Sequence, residues 1–227
     1  MWLALLTLFG YGLLHGLGPD HCLAIGTLAA AGGGMRKAVG VSLRFGAGHT
    51  VVLALGAILA ALAGLVITAR QESALEVIGG VSLLALGCWT VFTKRPLFEH
   101  HHDHPHDLGA SHDGFAPHVH DARSDGALVT RRAPLGGVFS TLAGAVFGLS
   151  GIRALVLLLP AVVGRSVAVS LAGVVLFGAG VVLSMLAVGW FAQKVTVAAA
   201  RIERGLRVPV GVASMLCGAW WVVEHLG

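Results

Sequence analysis

Four side chains of types that bind metal ions lie close together near the start of the sequence. His15, Asp20 and His21 fall within seven residues, and His49 follows in the next apolar segment. Imidazole nitrogens suit Zn, Cu, Fe and Ni, and a carboxylate adds one oxygen donor. The set therefore indicates a site for a late divalent transition metal. Cys22, directly after His21, is an additional candidate ligand through its thiolate.

A helix-breaking pair, Gly18-Pro19, separates His15 from His21. On a continuous helix these two histidines would point about 120° apart. Proline removes a backbone donor and clashes with the preceding turn, so we expect a break that turns His15 towards Asp20 and His21. Broken backbone at membrane depth is tolerated only beside a cavity or other protein.

The composition predicts that these residues lie in a membrane. Of 227 residues, 56% are hydrophobic and only 11% are charged, against about 25% charged in a typical globular chain. Stretches long enough to cross a bilayer predict an all-α polytopic membrane protein. The six predicted spans are 2–30, 38–68, 75–93, 135–160, 166–192 and 208–226.

Lys and Arg residues give the predicted orientation. Eleven of them fall in the loops after the first, third and fifth spans, whereas Arg70 and Arg165 alone fall after the second and fourth. By the positive-inside rule, both termini lie outside the cytoplasm and the polar insert 94–134 lies inside it. The membrane is expected to be a bacterial inner membrane. The basic charge is then explained by topology, and no nucleic-acid partner is predicted.

An internal repeat relates the two halves of the chain. Phe-Gly-Ala-Gly at 45–48 recurs at 177–180, an offset of 132 residues, and the same offset places Gly12 and Gly16 on Gly144 and Gly148. Each unit holds three spans, an odd number, so the second unit should be inverted relative to the first. Inverted repeats are typical of transporters that alternate access around a midplane site. The predicted organisation is 1–93 and 135–227 as repeats, joined by a cytoplasmic loop, 94–134.

The ligand set is not repeated in the second half. At the same offset, the four candidate ligands correspond to Phe147, Ile152, Arg153 and Val181. An intramembrane cation should find a partner, and Asp20 is a candidate for Arg153. Alternatively Arg153 contacts backbone carbonyls or binds an anionic substrate, which would make the chain a transporter of a small anion or metabolite.

The insert between the repeats is rich in histidine. From Glu99 to Asp125 there are eight histidines and six acidic residues but few large apolar ones. Such a segment cannot bury enough surface to fold alone, and its composition is typical of metal binding. The histidines are His100, His101, His102, His104, His106, His112, His118 and His120.

The His-x4-Asp-His pattern of residues 15–21, followed by Gly-His-Thr-Val-Val at 48–52, resembles the nickel/cobalt transporter superfamily. The histidine-rich loop is similar to that of its nickel/cobalt efflux branch, and the six-span layout is similar to its urease-accessory relatives. The resemblance covers mainly residues 12–55. It implies that the two motifs select the metal.

These observations predict a membrane transporter of Ni²⁺ or Co²⁺, with Zn²⁺ or Cu as further candidates, and not an enzyme. No permanently bound cofactor is expected. The expected partners are the metal ion, the lipid bilayer and a cytoplasmic metallochaperone or metalloenzyme accessory protein. An accessory protein that delivers nickel without transporting it remains an alternative. A thiol–disulfide carrier is disfavoured, because no cysteine of the chain corresponds to another at the 132-residue offset.

Overall fold

All secondary structure in the described residues is α-helical. The computed structural model describes residues 2–30, 34–63, 68–92, 134–151, 166–198 and 203–226. The prediction of an all-α chain is confirmed for this part of the molecule. Its seven helices are α1 (Trp2–Gly16), α2 (Pro19–Ala30), α3 (Gly34–Ala63), α4 (Ala69–Phe92), α5 (Pro134–Ser150), α6 (Val167–Ala198) and α7 (Glu203–Leu226).

Three of these helices, α3, α4 and α6, are long and apolar enough to cross a membrane. The pair α1 and α2 also qualifies if it is counted as one span bent by 58°, and α5 is a shorter apolar helix. The helix α4 begins at Ala69, six residues before the predicted span, and α3 begins at Gly34 instead of residue 38. Residues 152–160 of the fourth predicted span lie outside the described residues.

The break between α1 and α2 has a local cause in the sequence. The N–H groups of Leu17 and Gly18 donate to the carbonyls of Leu14 and His15, at 3.2 and 3.0 Å, which tightens the last turn of α1. Pro19 then occupies the first position of α2, where the N–H that it lacks would have no partner. The expected break in the first span is therefore present at Gly18-Pro19.

The outward faces of the helices are apolar and the inward faces are lined by small residues. Trp2, Leu3 and Leu59 are each more than 60% exposed, which suits contact with lipid chains. On the inward face of α4, by contrast, three of the seven buried residues are glycines. Small residues at helix contacts are typical of membrane bundles, in which backbones approach closely.

Two close helix contacts recur at the 132-residue offset. A Cβ at Gly12 would collide with the carbonyl oxygen of Phe177, and a Cβ at Gly144 would collide with that of Phe45. Gly144 lies 132 residues after Gly12, and Phe177 lies 132 residues after Phe45. The pair α1 and α6 thus has a counterpart in the pair α5 and α3.

The helix directions follow from successive contacts. Along α1, Gly12 and then Gly16 meet α6 at positions 177 and 181, so the two helices are parallel. The same pattern makes α5 parallel to α3. Between α4 and α7, however, Gly80 meets Gly218 whereas Gly87 meets Gly211, so this pair is antiparallel. The helices α3 and α6 are also antiparallel, since Gly46 contacts Met185 whereas Ser42 contacts Gly189.

We expect Gly87→Ala to destabilise the bundle and Gly26→Ala to leave it unharmed. A Cβ at Gly87 would lie 2.6 Å from the carbonyl oxygen of Gly211, whereas nothing lies within 4 Å of a Cβ at Gly26. Overpacking of this kind costs about 1–3 kcal/mol, while alanine within a helix gains up to about 1 kcal/mol over glycine. Thermal unfolding in detergent measures both variants. Equal melting temperatures would contradict the close approach of α4 and α7.

Candidate metal site

Three imidazole rings converge at the break in the first span. The Nε2 atom of His49 lies 3.0 Å from the Nε2 of His15 and 3.3 Å from the Nε2 of His21. One nitrogen from each ring falls within 4.8 Å of the others. The structure therefore brings together all three histidines that the sequence analysis placed inside the membrane.

Each histidine comes from a different helix. His15 lies in the last turn of α1, His21 in the first turn of α2, and His49 midway along α3. Because α2 leaves α1 at 58°, the rings on either side of the break point to the same place. A straight helix would have separated them by about 120°.

An apolar shell surrounds the three rings. His21 and His49 are 2% and 0% exposed. The ring of Phe45 stacks on His49, with centroids 6.4 Å apart, while Phe177 lies 5.8 Å from His15 and Phe147 lies 6.3 Å from His21. In such surroundings, the attraction between a cation and its ligands is stronger than in water, because less solvent screens it.

Asp20 contacts the ring of His21 on the side opposite the other two histidines. Its Oδ1 lies 2.7 Å from Nδ1 of His21, the ring nitrogen that faces away from the other histidines. The pair meets the distance of an ion pair, while Nδ1 of His21 has no hydrogen-bond partner of good geometry. A carboxylate this close favours a proton on Nδ1, which leaves the Nε2 lone pair of His21 for a metal. Asp20 is not among the three side chains whose nitrogens converge, so its role as a ligand stays a prediction.

Among the described candidates, Cys22 is not part of the cluster. The thiol of Cys22 lies 3.4 Å from the carbonyl oxygen of Leu17 and donates to it. Arg153 and the eight histidines of the insert lie outside the described residues, so their roles stay predictions.

Three nitrogen donors can bind a late transition metal and leave coordination positions open. Catalytic zinc sites show this arrangement, with three protein ligands and an exchangeable position. An ion held in this way keeps a coordination position for water or for a further ligand.

Two glycines pack beside the cluster, and the pattern of candidate ligands in the sequence did not indicate these contacts. A Cβ at Gly18 would lie 2.6 Å from Oδ1 of Asp20, and a Cβ at Gly151 would lie 3.3 Å from Nε2 of His15. Gly18 was singled out as a helix breaker, but the space that it leaves for the Asp20–His21 contact could not be read from one sequence. Gly151 follows α5, which packs on α3 and α4, and its approach to His15 depends on tertiary packing.

The fold and the site define a class of protein: an integral membrane protein with a buried imidazole cluster suited to transition metals. Comparison with known proteins gives the family. The family model NicO, described as high-affinity nickel-transport protein, matches residues 1–133, more than half of the chain. The chain belongs to this family, which is not a class of enzymes. The matched region contains all three clustered histidines and the histidine-rich insert.

A curated relative extends the similarity into the second half. The chain is 27% identical over 185 residues to the urease accessory protein UreH of Bacillus sp. (strain TB-90), covering 81% of this chain and 74% of the relative. No solved structure matches the chain significantly. The resemblance to nickel transporters and their urease-accessory relatives is therefore confirmed.

We expect Asp20→Asn to weaken metal binding without changing the set of ligands. Loss of the carboxylate behind a ligating histidine reduces metal affinity about 10–100-fold. Titration of the purified protein with Co²⁺ measures the affinity, and the visible absorption of bound Co²⁺ reports its ligands. Cys22→Ser is the matched control and should change neither. An altered cobalt spectrum in Asp20→Asn would instead make the carboxylate a direct ligand.

Gly18→Ala should reproduce the effect of Asp20→Asn, because the added methyl group displaces the carboxylate from His21. The two changes remove one interaction, so the double variant should bind metal about as weakly as either single variant. Cobalt titration of the two single variants and the double variant completes the double-mutant cycle, with Gly26→Ala as the glycine control. Fully additive losses would show that Gly18 acts by another route.

Proposed function

We propose that the chain is a membrane transporter of divalent transition-metal ions, with Ni²⁺ and Co²⁺ as preferred cargo. The observation that carries this proposal is the convergence of one ring nitrogen each from His15, His21 and His49 within 4.8 Å at a break in the first span. Ionisable residues inside a span mark the path of a substrate or ion. The nickel-transport description of the family supports the same cargo.

The chemistry of the cluster favours borderline metals. Neutral imidazole is a good ligand for Ni, Co, Zn and Cu, whereas hard ions such as Mg²⁺ and Ca²⁺ prefer oxygen. The carboxylate of Asp20, 2.7 Å from Nδ1 of His21, favours a proton on that nitrogen and so leaves Nε2 for the metal. We propose His15, His21 and His49 as the direct ligands and Asp20 as the residue that orients His21.

We further propose that the two halves are inverted repeats that rock against each other around this site. Support comes from the paired contacts of Gly12 with Phe177 and Gly144 with Phe45. The helix directions agree, since α3 runs opposite to α6 and α4 opposite to α7, as an inverted relation between the halves requires. On this proposal the fourth span completes the layout through residues 152–160.

The proposed orientation places both termini outside the cytoplasm of a bacterial inner membrane and the insert 94–134 inside it. The insert would then buffer metal on the cytoplasmic side through its eight histidines. It also offers a contact for a cytoplasmic metallochaperone. The distribution of Lys and Arg between the loops supports this orientation.

The relative named as a urease accessory protein favours a second function, delivery of nickel to an enzyme. A delivery protein needs a site that binds nickel but no pathway across the bilayer. Flux into vesicles that contain no other protein separates the two functions. Vesicles that bind nickel at the site without accumulating it would favour delivery.

We expect His15→Ala and His49→Ala each to abolish nickel flux. Each change removes one of three ligands, and the two that remain bind too weakly to load the site. Uptake of radioactive nickel by proteoliposomes is the measurement. The control replaces the eight histidines of the insert by asparagine, which should alter metal buffering while flux continues. Unchanged flux in His15→Ala would refute the proposed function.

A further inference from the structure

A second ionisable residue lies inside the bundle, away from the three histidines. Glu76 of α4 is 5% exposed, although the sequence analysis left it at the very edge of the third span. It lies seven residues after Ala69, the first residue of α4, which puts it about 10 Å along the helix. A buried carboxylate at this depth is costly and marks a functional position by default.

One hydrogen bond of Glu76 can form whether or not its carboxyl group carries a proton. Its Oε2 lies 2.8 Å from Nε1 of Trp221 on α7, which donates the hydrogen bond. An indole N–H only donates, and both a carboxylate and the carbonyl oxygen of a carboxylic acid accept. The bond to Trp221 therefore persists in either protonation state, so α4 and α7 need not separate when the proton exchanges.

Among the described residues, α2, α5 and α7 pack against α4. The helix α2 carries Asp20, His21 and Cys22, and α5 carries no ionisable side chain among its described residues. On α4 itself, Arg70 and Glu72 precede Glu76, and Cys88 lies three turns after it.

The helix α7 carries ionisable residues at both ends. Its first five residues include Glu203, Arg204 and Arg207, and Cys217 lies farther along. Near its end, the ring of His225 stacks on Trp221 at 5.7 Å, and Glu224 is exposed.

A short chain of contacts connects Glu76 to the metal site. Gly79, three residues further along α4 on the same buried face, packs against Ser150, whose Oγ would lie 2.7 Å from a Cβ at Gly79. The next residue, Gly151, packs against the ring of His15. The end of α5 thus lies between the histidine cluster and the turn of α4 that carries Glu76.

We propose that Glu76 is a proton-exchanging residue that couples metal movement to a proton gradient. The inference rests on the proposed transport function. A divalent ion bound by the three histidines stabilises the carboxylate form of Glu76, so metal loading releases its proton to water. When the ion leaves, the carboxylate takes up a proton and becomes a carboxylic acid. Metal and proton therefore occupy the protein in alternation and move in opposite directions.

Proton release on metal binding tests the coupling directly. Purified protein in weakly buffered detergent solution is titrated with Ni²⁺, and a pH indicator measures the protons released. Glu76→Gln keeps an acceptor for Trp221 but has no proton to exchange. It should release about one proton fewer per ion than the unmodified protein and bind nickel more weakly, because the coupling between metal and proton binding is reciprocal. The matched control, Glu72→Gln on the same helix, should release as many protons as the unmodified protein.

Proteoliposomes with an imposed pH gradient supply the second measurement. The gradient should accelerate nickel flux in the unmodified protein and in Glu72→Gln but not in Glu76→Gln. Equal proton release and an equal response to the gradient in Glu76→Gln would overturn the coupling role and leave transport intact. Absence of flux in the unmodified protein would instead overturn the proposed function.

Infrared difference spectroscopy of the unmodified protein keeps the test independent of how the variants fold. Adding Ni²⁺ should remove the carbonyl band of a protonated carboxylic acid, and Glu76→Asp should shift that band. A spectrum without loss of such a band on metal binding would overturn the proposal.

Discussion

The geometry of the site depends on one constraint, the interruption of the first span at Gly18-Pro19. Because α1 stops and α2 restarts at 58°, imidazoles from both sides of the break reach the ring of His49. The same interruption places Asp20 beside His21, with Oδ1 of Asp20 2.7 Å from Nδ1 of that ring. Without the break, the three ring nitrogens would not converge and the half-buried carboxylate would lie away from His21.

Close contacts between helices hold this arrangement in place. Position 49 of α3 packs on Gly148 of α5, where a Cβ would lie 2.7 Å from the backbone oxygen of His49. Gly16, one residue after His15, is fixed in the same way against Val181 of α6. Such packing allows little independent movement of a single helix. A change of access at the site is therefore expected to move several helices together, as the rocking of two repeats would.

Sequence reasoning predicted the ligand types, the break and the all-α fold, because each depends on local chemistry: imidazole donors, a Gly-Pro pair and apolar segments of sufficient length. It did not predict that Asp20 faces Nδ1 of His21, since the direction of a side chain near a kink depends on the kink angle. It also missed the burial of Glu76, because hydropathy alone placed the start of the third span too late. The partner of Glu76 is 145 residues away, beyond the reach of any local pattern.

Within the part of the chain that the structure describes, no thiol joins the three ring nitrogens. Cys22 is adjacent to His21 in the sequence, yet its thiol is turned to the carbonyl of Leu17. A thiolate would favour soft or strongly bound ions such as Cu(I) and Zn²⁺ and slow their release. A transport site must bind its ion well enough to admit it and weakly enough to let it leave. Three imidazoles without a thiolate agree with both requirements, as the proposed transport of Ni²⁺ or Co²⁺ needs.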